Sequence, residues 1–306
     1  MDFRRFLSVL ILATTALLAV VIWFYPSSAD FRTDNFAWNG AREFSEGFGA
    51  DMLLSLDDLP DNPADCVLIT IPYVSFSAAD LASLDSFVSN GGTLLLADDY
   101  GNGNQVLEYL HLNASFSGEQ LLDPLFNYKN SFFPKVIDFT DAAINEGVDS
   151  IVLNHATSLD IGAGVQLVAR SSASSFLDLN DNRMLDDGEP AGPLPVAAKA
   201  EYNKGLVFML SDPSTIINCM RDIGDNYAFI DNIMRYNGPE PSIMLDQSHL
   251  PSDNLYQAKS GLITIRKALA TPAGITLIVT IVIIVTLLPI WLRVKGGKHD
   301  RRDENK

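Results

Sequence analysis

The chain has 306 residues with 21 basic against 38 acidic side chains, a formal net charge of −17, and 47% hydrophobic residues. So acidic a balance repels nucleic acid and anionic lipid head groups, which removes nucleic acid as a partner. The apolar residues are concentrated: 6–24 and 273–292 each run without a charge, and about twenty such residues suffice for a helix to cross a bilayer core.

Taken in chain order, residues 1–5 form a short N-terminus carrying Arg4 and Arg5, and 6–25 is read as a transmembrane helix. Basic residues flanking a span stay on the cytoplasmic side. The alternative for this segment is a cleaved signal peptide, with Ser27-Ser28-Ala29 as a small-residue cleavage site; the length of the apolar run favours an uncleaved anchor. The second span, 273–292, is followed by a basic tail, 293–306, with Arg293, Lys295, Lys298, Arg301, Arg302 and Lys306. Both ends therefore point to the cytoplasm, and a two-pass chain in the cell membrane places residues 30–238 outside. Without the two ends, thirteen basic residues face thirty-four acidic ones, net −21. No ionisable residue interrupts either span, which argues against an ion path.

Within 30–238, Ala41, Phe44 and Phe48 keep a helical spacing after Asn39-Gly40, and Leu53, Leu54 and Leu56 mark a strand. The run 65–72 is apolar throughout and closes on a proline, as strands buried on both faces do. Ser77 with Asp80 three residues on resembles a capping box, Leu81, Leu84, Phe87 and Val88 carry helical spacing, and Gly91 sits where a helix ends. A second buried strand, 93–99, then completes a βαβ unit with a parallel pair. A helix follows at 104–111. Residues 113–150 are irregular, with Asn113-Ala114-Ser115 as a glycosylation sequon. Strands are expected near 149–154 and 165–170. At 206–220 five apolar residues lead to Ser211, and Asp212 is read as the cap of a helix with Pro213 at its first position. Asp225 is read as the cap of a helix bearing Phe229, Ile230, Ile233 and Met234. Residues 239–272 read as a juxtamembrane linker.

The segments SNGGTLLLADDYGNGNQVL, GPLPVAAKAEYNKGLVFMLSDPS and GDNYAFIDNIM resemble the family called domain of unknown function 4350, over roughly residues 30–238. That family is a membrane-anchored set found in archaea and bacteria. Its domain is similar to the class I glutamine amidotransferase fold and to the auxiliary component of gliding-type ABC transporters. The resemblance implies a flavodoxin-like αβα sandwich with a mostly parallel sheet, and no established activity.

An amidotransferase of that fold needs a cysteine on a tight strand-to-helix elbow with a histidine and a glutamate. Cys66 stands at the start of a strand and Cys219 is read inside a helix; both are expected to be buried free thiols, with a disulfide as the alternative. His111, His155, His249 and His299 have no partner by spacing. No catalytic residue is assigned, and the domain reads as a non-catalytic relative.

In open parallel sheets ligands bind outside the carboxyl ends of the strands. Those ends carry Asp98, Asp99, Tyr100, Asn102 and Asn104 after one strand and Ser211 and Asp212 after another, with Asp225 and Asn226 as further candidates for ligand binding. Each also has an ordinary capping or turn role. A sharper local pattern is 178–189, where Asp178, Asn180, Asn182, the Met184 carbonyl, Asp186 and Glu189 occupy positions 1, 3, 5, 7, 9 and 12 of a calcium loop. Arg183 stands at position 6, where glycine normally makes the turn, and no helix is expected after the loop. Calcium is the one cofactor the pattern suggests; the alternative is a solvated acidic hairpin. The functional expectation is a membrane-anchored, non-enzymatic exterior domain that binds a ligand or assembles with protein partners. The alternative is an auxiliary subunit of an ABC-type transport complex, and a cation-dependent hydrolase using the acidic crevice is a third.

Overall fold

The computed structural model describes the backbone of residues 3–251 and 254–303, and side chains at those positions other than 5, 254 and 288–303. The remaining ends of the basic tail and of the N-terminus, residues 304–306 and 1–2, lie outside the described residues. The chain divides into two compact units, residues 26–252 and residues 1–25 with 253–306.

In chain order the larger unit contains α2 (Arg42–Phe48), which follows α1 (Phe3–Phe24) of the smaller one, then β1 (Asp51–Leu53), β2 (Cys66–Thr70), α3 (Ala78–Ser89), β3 (Thr93–Ala97) and α4 (Asn104–Tyr109). Seven short or peripheral strands come next: β4 (Ala114–Phe116), β5 (Gln120–Leu122), β6 (Lys135–Val136), β7 (Asp138–Phe139), β8 (Ile151–Val152), β9 (Leu159–Ile161) and β10 (Gln166–Arg170). The unit closes with β11 (Phe176–Asp178), β12 (Pro195–Tyr202), β13 (Gly205–Leu210), α5 (Asn226–Met234) and β14 (Ser242–Asp246).

Eight strands form one mixed sheet in the order β1-β14-β2-β3-β13-β12-β10-β7. The first five are mutually parallel, and β12, β10 and β7 extend the sheet antiparallel. The expected mostly parallel sheet is therefore a mixed α/β sheet. Its parallel part carries the last strand between the first two, an order other than the 2-1-3-4-5 of flavodoxin.

Strand alternation sorts the core into two halves. Val67, Ile69, Leu95, Ala97, Phe208 and Leu210 face one side, where Phe44 of α2 and Phe229, Ile230 and Ile233 of α5 cover them. Leu68, Leu94, Leu96, Val207 and Met209 face the other, under Leu84, Phe87 and Val88 of α3 and Val106 and Leu107 of α4. The βαβ unit read from the sequence is β2-α3-β3. Its capping box is present, with the Asp80 N–H donating to Ser77 Oγ and the Ser77 N–H to Asp80 Oδ2, and Gly91 follows at φ +109°.

Several expectations are corrected. Residues 242–246, read as linker, form β14 inside the sheet, with Ile243, Met244 and Leu245 buried. The stretch after Asp212 is a four-residue 3-10 turn, Pro213–Ile216, and Cys219 lies beyond it in a turn. Neither thiol is buried: Cys66 is half-buried, Cys219 exposed, and both are free. Asp225 precedes α5 without capping it; its Oδ2 accepts the N–H groups of Asp149 and Ser150 instead.

The two ends of this unit are joined by a buried cation. Arg32, 1% exposed, donates from its guanidinium to the carbonyls of Gln247 (2.7 Å), Leu250 (3.4 Å) and Pro251 (2.6 Å). Beside it, His249 is 4% exposed, its Nδ1 lies 2.7 Å from Asp246 Oδ2, and its Nε2 lies 3.7 Å from Asp80 Oδ2 at the start of α3. Burial pushes this imidazole toward neutrality, but the two carboxylates outweigh it and hold its pKa above the usual value.

In the smaller unit, α6 (Asn254–Ala270) and α7 (Pro272–Asp303) meet at Thr271, whose Oγ1 accepts the Gly274 N–H. Among the described residues, Phe6–Phe24 is long and apolar enough to cross a membrane and is unburied. Leu255–Ala270 with Pro272–Leu287 is bent by 85° and passes that test only as a pair. The second span expected at 273–292 lies partly outside the residues whose side chains are described, which end at 287.

Replacing Arg32 by Ala leaves two buried carbonyls and a half-buried one without their donor, at about 1–3 kcal/mol for each buried polar group left unsatisfied. Urea denaturation of the Arg32→Ala chain is expected to show a loss of stability of about 3 kcal/mol or more. His249 has a raised folded-state pKa, so its contribution is full below the unfolded value and is lost as pH rises through the folded one. His249→Gln is expected to lower the melting temperature more at pH 6 than at pH 8.

Candidate functional site

The register of β3 against β13 pairs Leu210 with Ala97, so Ser211 and Asp212 leave the sheet beside Asp98 and Asp99. Alternation sends these residues to opposite faces. Asp98 and Ser211 turn to the α3/α4 side. Asp98 is 2% exposed and caps its own loop, accepting the N–H of Gly103 at 2.5 Å and of Tyr100 at 2.9 Å. Ser211 is fully buried and its Oγ has no partner among the described residues. Asp99 and Asp212 turn to the α2/α5 side, where a cleft of about 470 Å³ opens.

Asp99 lines that cleft with Asp30, Trp38, Tyr73, Tyr100 and His155 among others, and Asn154 and Cys219 complete one wall. Tyr73 follows β2 and packs edge-on to Tyr100 with ring centroids 5.7 Å apart. His155 stacks on Phe132 at 4.6 Å, and its Nδ1 lies 3.2 Å from Gln120 Oε1. The loop that carries Trp38 is stapled from below: Asn218 Nδ2 donates to the carbonyls of Asn35 and Ala37, the Asn218 N–H to Gly40 O, and the Cys219 N–H to Trp38 O. Gly40 is required in this loop, because a Cβ there would lie 1.9 Å from the Asn35 carbonyl oxygen.

The electrostatics are dominated by like charge. Asp212 is fully buried, with Oδ2 accepting the Asn154 N–H and Oδ1 the Ser214 N–H, each at 2.7 Å. Burial outweighs these bonds and pushes its pKa to about 7. Asp99 rises to about 8, through burial first and then the charges of Asp212 and Asp98; its own backbone N–H acts against this. Burial, then Asp99, also raises Tyr73 and Tyr100, and burial lowers His155.

Of the residues proposed for ligand binding from the sequence, the structure brings Asp99 to the cleft with Asp212 beside it. Ser211 is buried with its Oγ unpartnered among the described residues, and Asp98, Asn104, Asp225 and Asn226 have structural work. Asn104 exchanges two hydrogen bonds with the Phe116 backbone. Asn226 is fully buried and bridges Val152 and Met220. Asp225 ties down Asp149 and Ser150, and Asn102 stays in the turn before α4. Tyr73 was within reach of the strand-end rule, since it follows β2 directly. Asp30, Trp38 and Asn154 come from loops with no periodic signal.

The loop 178–189 has the hydrogen-bond pattern of a closed twelve-residue turn. Asp178 accepts the N–H groups of Asn182 and Arg183, Asn182 Oδ1 accepts that of Met184, and Glu189 accepts those of Leu179 and Asp186. Arg183, at the position where glycine is usual, adopts φ +65°. Among the described residues no group of three or more His, Cys, Asp or Glu side chains is placed to hold a metal ion. The Met184 side chain is exposed, as are the flanking Leu179 and Leu185.

A mixed sheet with helices on both faces and a cleft at the carboxyl ends of its parallel strands defines an α/β domain of the crevice-bearing class. The chain belongs to the family described as a domain of unknown function, DUF4350, whose profile matches residues 33–234. No curated protein sequence matches it. Among solved structures it is similar to the N-terminal domain of mmIFT52, at 15% identity over 56% of this chain and 76% of that one, with a TM-score of 0.45. It is similar also to cytoplasmic protein STM1381 from Salmonella typhimurium LT2, at 14% identity over 65% and 80%, TM-score 0.39. A β-galactosidase from Bacillus circulans sp. alkalophilus matches at 11% over 57% of this chain and 23% of that one, TM-score 0.37. Likeness at this level carries no functional information.

Asp99 has a raised folded-state pKa. The unfolded chain releases this proton near pH 4 while the folded chain keeps it to about pH 8, so stability falls as pH rises across that window. In Asp99→Asn the fall in melting temperature between pH 5 and pH 8 is expected to be shallower than in the parent chain, as read by thermal denaturation.

Proposed function

We propose that residues 26–252 form a non-catalytic ligand-binding domain tethered to a membrane, with the cleft above β3 and β13 as the binding site. The observation that carries this reading is the cleft itself. It has the size of a small-ligand site and combines aromatic faces with a few convergent polar groups. The thiol and imidazole that line it do not support nucleophilic catalysis. Burial pushes the Cys219 thiol up, away from the thiolate that would react, and no hydrogen bond joins it to His155 among the described residues. The relation to the glutamine amidotransferase-like, flavodoxin-like sandwich belongs to the same proposal. Helices on both faces of the parallel strands favour it, and the inserted last strand is its main departure.

The tether is α1, unburied and apolar over Phe6–Phe24. In the two-pass form, α7 supplies a second span, the ends remain cytoplasmic and the domain lies outside the cell, where an acidic surface stays soluble. Protease added to intact cells is then expected to cut within 26–252 and to spare tags on both ends. Cut tags and a protected domain would overturn this topology. A thermal-shift screen of the full chain in detergent tests the site. At least one small ligand is expected to raise the melting temperature of the parent chain and not of Tyr73→Ala; failure of sugars, amino acids and amines alike removes the cleft as a binding site. Co-purification with an ATPase and a polytopic permease would favour the ABC-type auxiliary role.

Calcium at 178–189 is a separate proposal, resting on its six oxygen donors in loop order. A ligand that binds only the folded state at tenfold its Kd adds about 1.4 kcal/mol. Millimolar calcium is expected to raise the melting temperature accordingly, and more so in Arg183→Gly, whose left-handed backbone position then carries no side-chain cost.

A further inference from the structure

Acidic groups outnumber basic ones at the cleft, where Lys129, close enough to act on the Cys219 thiol, is a neighbouring cation. Asp30 and Asp99 line it, Asp212 is buried beside Asp99, and no lysine or arginine is among its lining residues. His155 supplies no compensating charge, because burial holds its pKa below the ordinary value. The three aspartates at the strand ends also differ in how they are served. Asp98 takes two backbone N–H groups in its own loop, and each oxygen of Asp212 takes one. Only its own backbone N–H approaches the Asp99 carboxylate among the described residues. This carboxyl group faces the cleft; burial and the neighbouring Asp212 and Asp98 make it hold its proton to about pH 8, and a cation bound against it would favour the ionised form.

The remaining walls are ring faces and edges. Trp38 is 67% exposed and Tyr100 63% exposed, and Tyr73 sits half-buried between Phe31 and Tyr100, 5.7 Å from each. Open aromatic rings around a carboxylate offer two attractions to one kind of group. The ring quadrupole and the anion both favour a positive charge, and the ring faces favour the weakly hydrated alkyl groups around it. An anion would face Asp30 and Asp99 together. A neutral sugar could stack on the rings but would gain no charge attraction from Asp99.

We propose that this cleft takes a small organic cation, an ammonium or guanidinium compound, with Asp99 as its counter-ion and Trp38, Tyr73 and Tyr100 packed around the charged group. The proposal rests on the cleft being the binding site, and it adds the charge class of the ligand. The side chains divide the roles: Asp99 supplies charge, the rings supply shape, and the Asn218 staple holds Trp38 in place.

The test uses the full chain in a polyoxyethylene detergent at pH 9, where Asp99 is ionised, with choline and agmatine as cationic probes, 3,3-dimethylbutanol as the neutral isostere of choline, and cellobiose as a neutral sugar. Calorimetry is expected to show at least one cation binding tenfold or more tighter than the neutral alcohol. Asp99→Asn is expected to weaken that binding at least tenfold while keeping a single cooperative melting transition. Tyr100→Ala, at an exposed ring, is expected to weaken it severalfold. Equal binding of choline and its isostere, undiminished binding in Asp99→Asn, or no binding of either cation at 10 mM each overturns the proposal. If cellobiose alone binds and Tyr73→Ala abolishes it, the cation assignment fails while the cleft survives as a site; if nothing binds, both fall.

Discussion

The parallel register of β3 against β13 is the constraint on which this domain turns. It sets Ala97 opposite Leu210, and chain alternation does the rest. One residue beyond each strand, Asp98 and Ser211 go beneath α3 and α4; two residues beyond, Asp99 and Asp212 go to the face covered by α2 and α5. A one-residue slip would exchange these pairs between faces, burying the capping aspartate in the cleft and the cleft aspartates in the helix layer. The slip is resisted by the strands themselves, since Leu206, Phe208 and Leu210 belong to one half of the core and Val207 and Met209 to the other.

That register produces a site under electrostatic tension, held in place by ordinary structural work. Asp212 is secured by backbone donors from Asn154 and Ser214, Asp98 by its own loop, and the Trp38 loop by Asn218. Asp99 alone is left facing open space. The domain tolerates this because folding stability is a sum over the whole sheet, and three raised carboxyl groups at its rim are a small part of the total. Sites that bind are often the places where a local rule is broken and the surroundings compensate.

Much of the parallel half was legible from residue pattern. The apolar runs of β2, β3 and β13 read as doubly buried strands because helices cover both faces, and the capping box at Ser77 fixed the start of α3. β14 was hidden by its context: Pro239, Glu240 and Pro241 announce a linker, and five residues are too few to show a period. Asp212 misled for a physical reason. An aspartate before a proline caps an α-helix and a 3-10 turn alike through the local Ser214 N–H, and its long-range partner Asn154 is not visible in the local pattern. Asn226 looked like a ligand residue and proved to be a buried bridge between loops, which spacing does not reveal. The aromatic walls of the cleft come from segments distant in sequence, so their convergence belongs to the fold and not to any local motif.

The Arg32 clamp has a mechanical meaning. Its guanidinium reaches back across more than two hundred residues to the last carbonyls of the domain, so residues near 32 and near 250 are fastened at one point. Tension drawn between the two ends of the domain is met first by those guanidinium–carbonyl bonds and by the adjoining His249–Asp246–Asp80 contact. The strands bearing Asp99 and Asp212 sit behind that fastening, shielded from the load. A domain built this way yields at its hem before its weave, and its cleft keeps its shape while its ends are pulled.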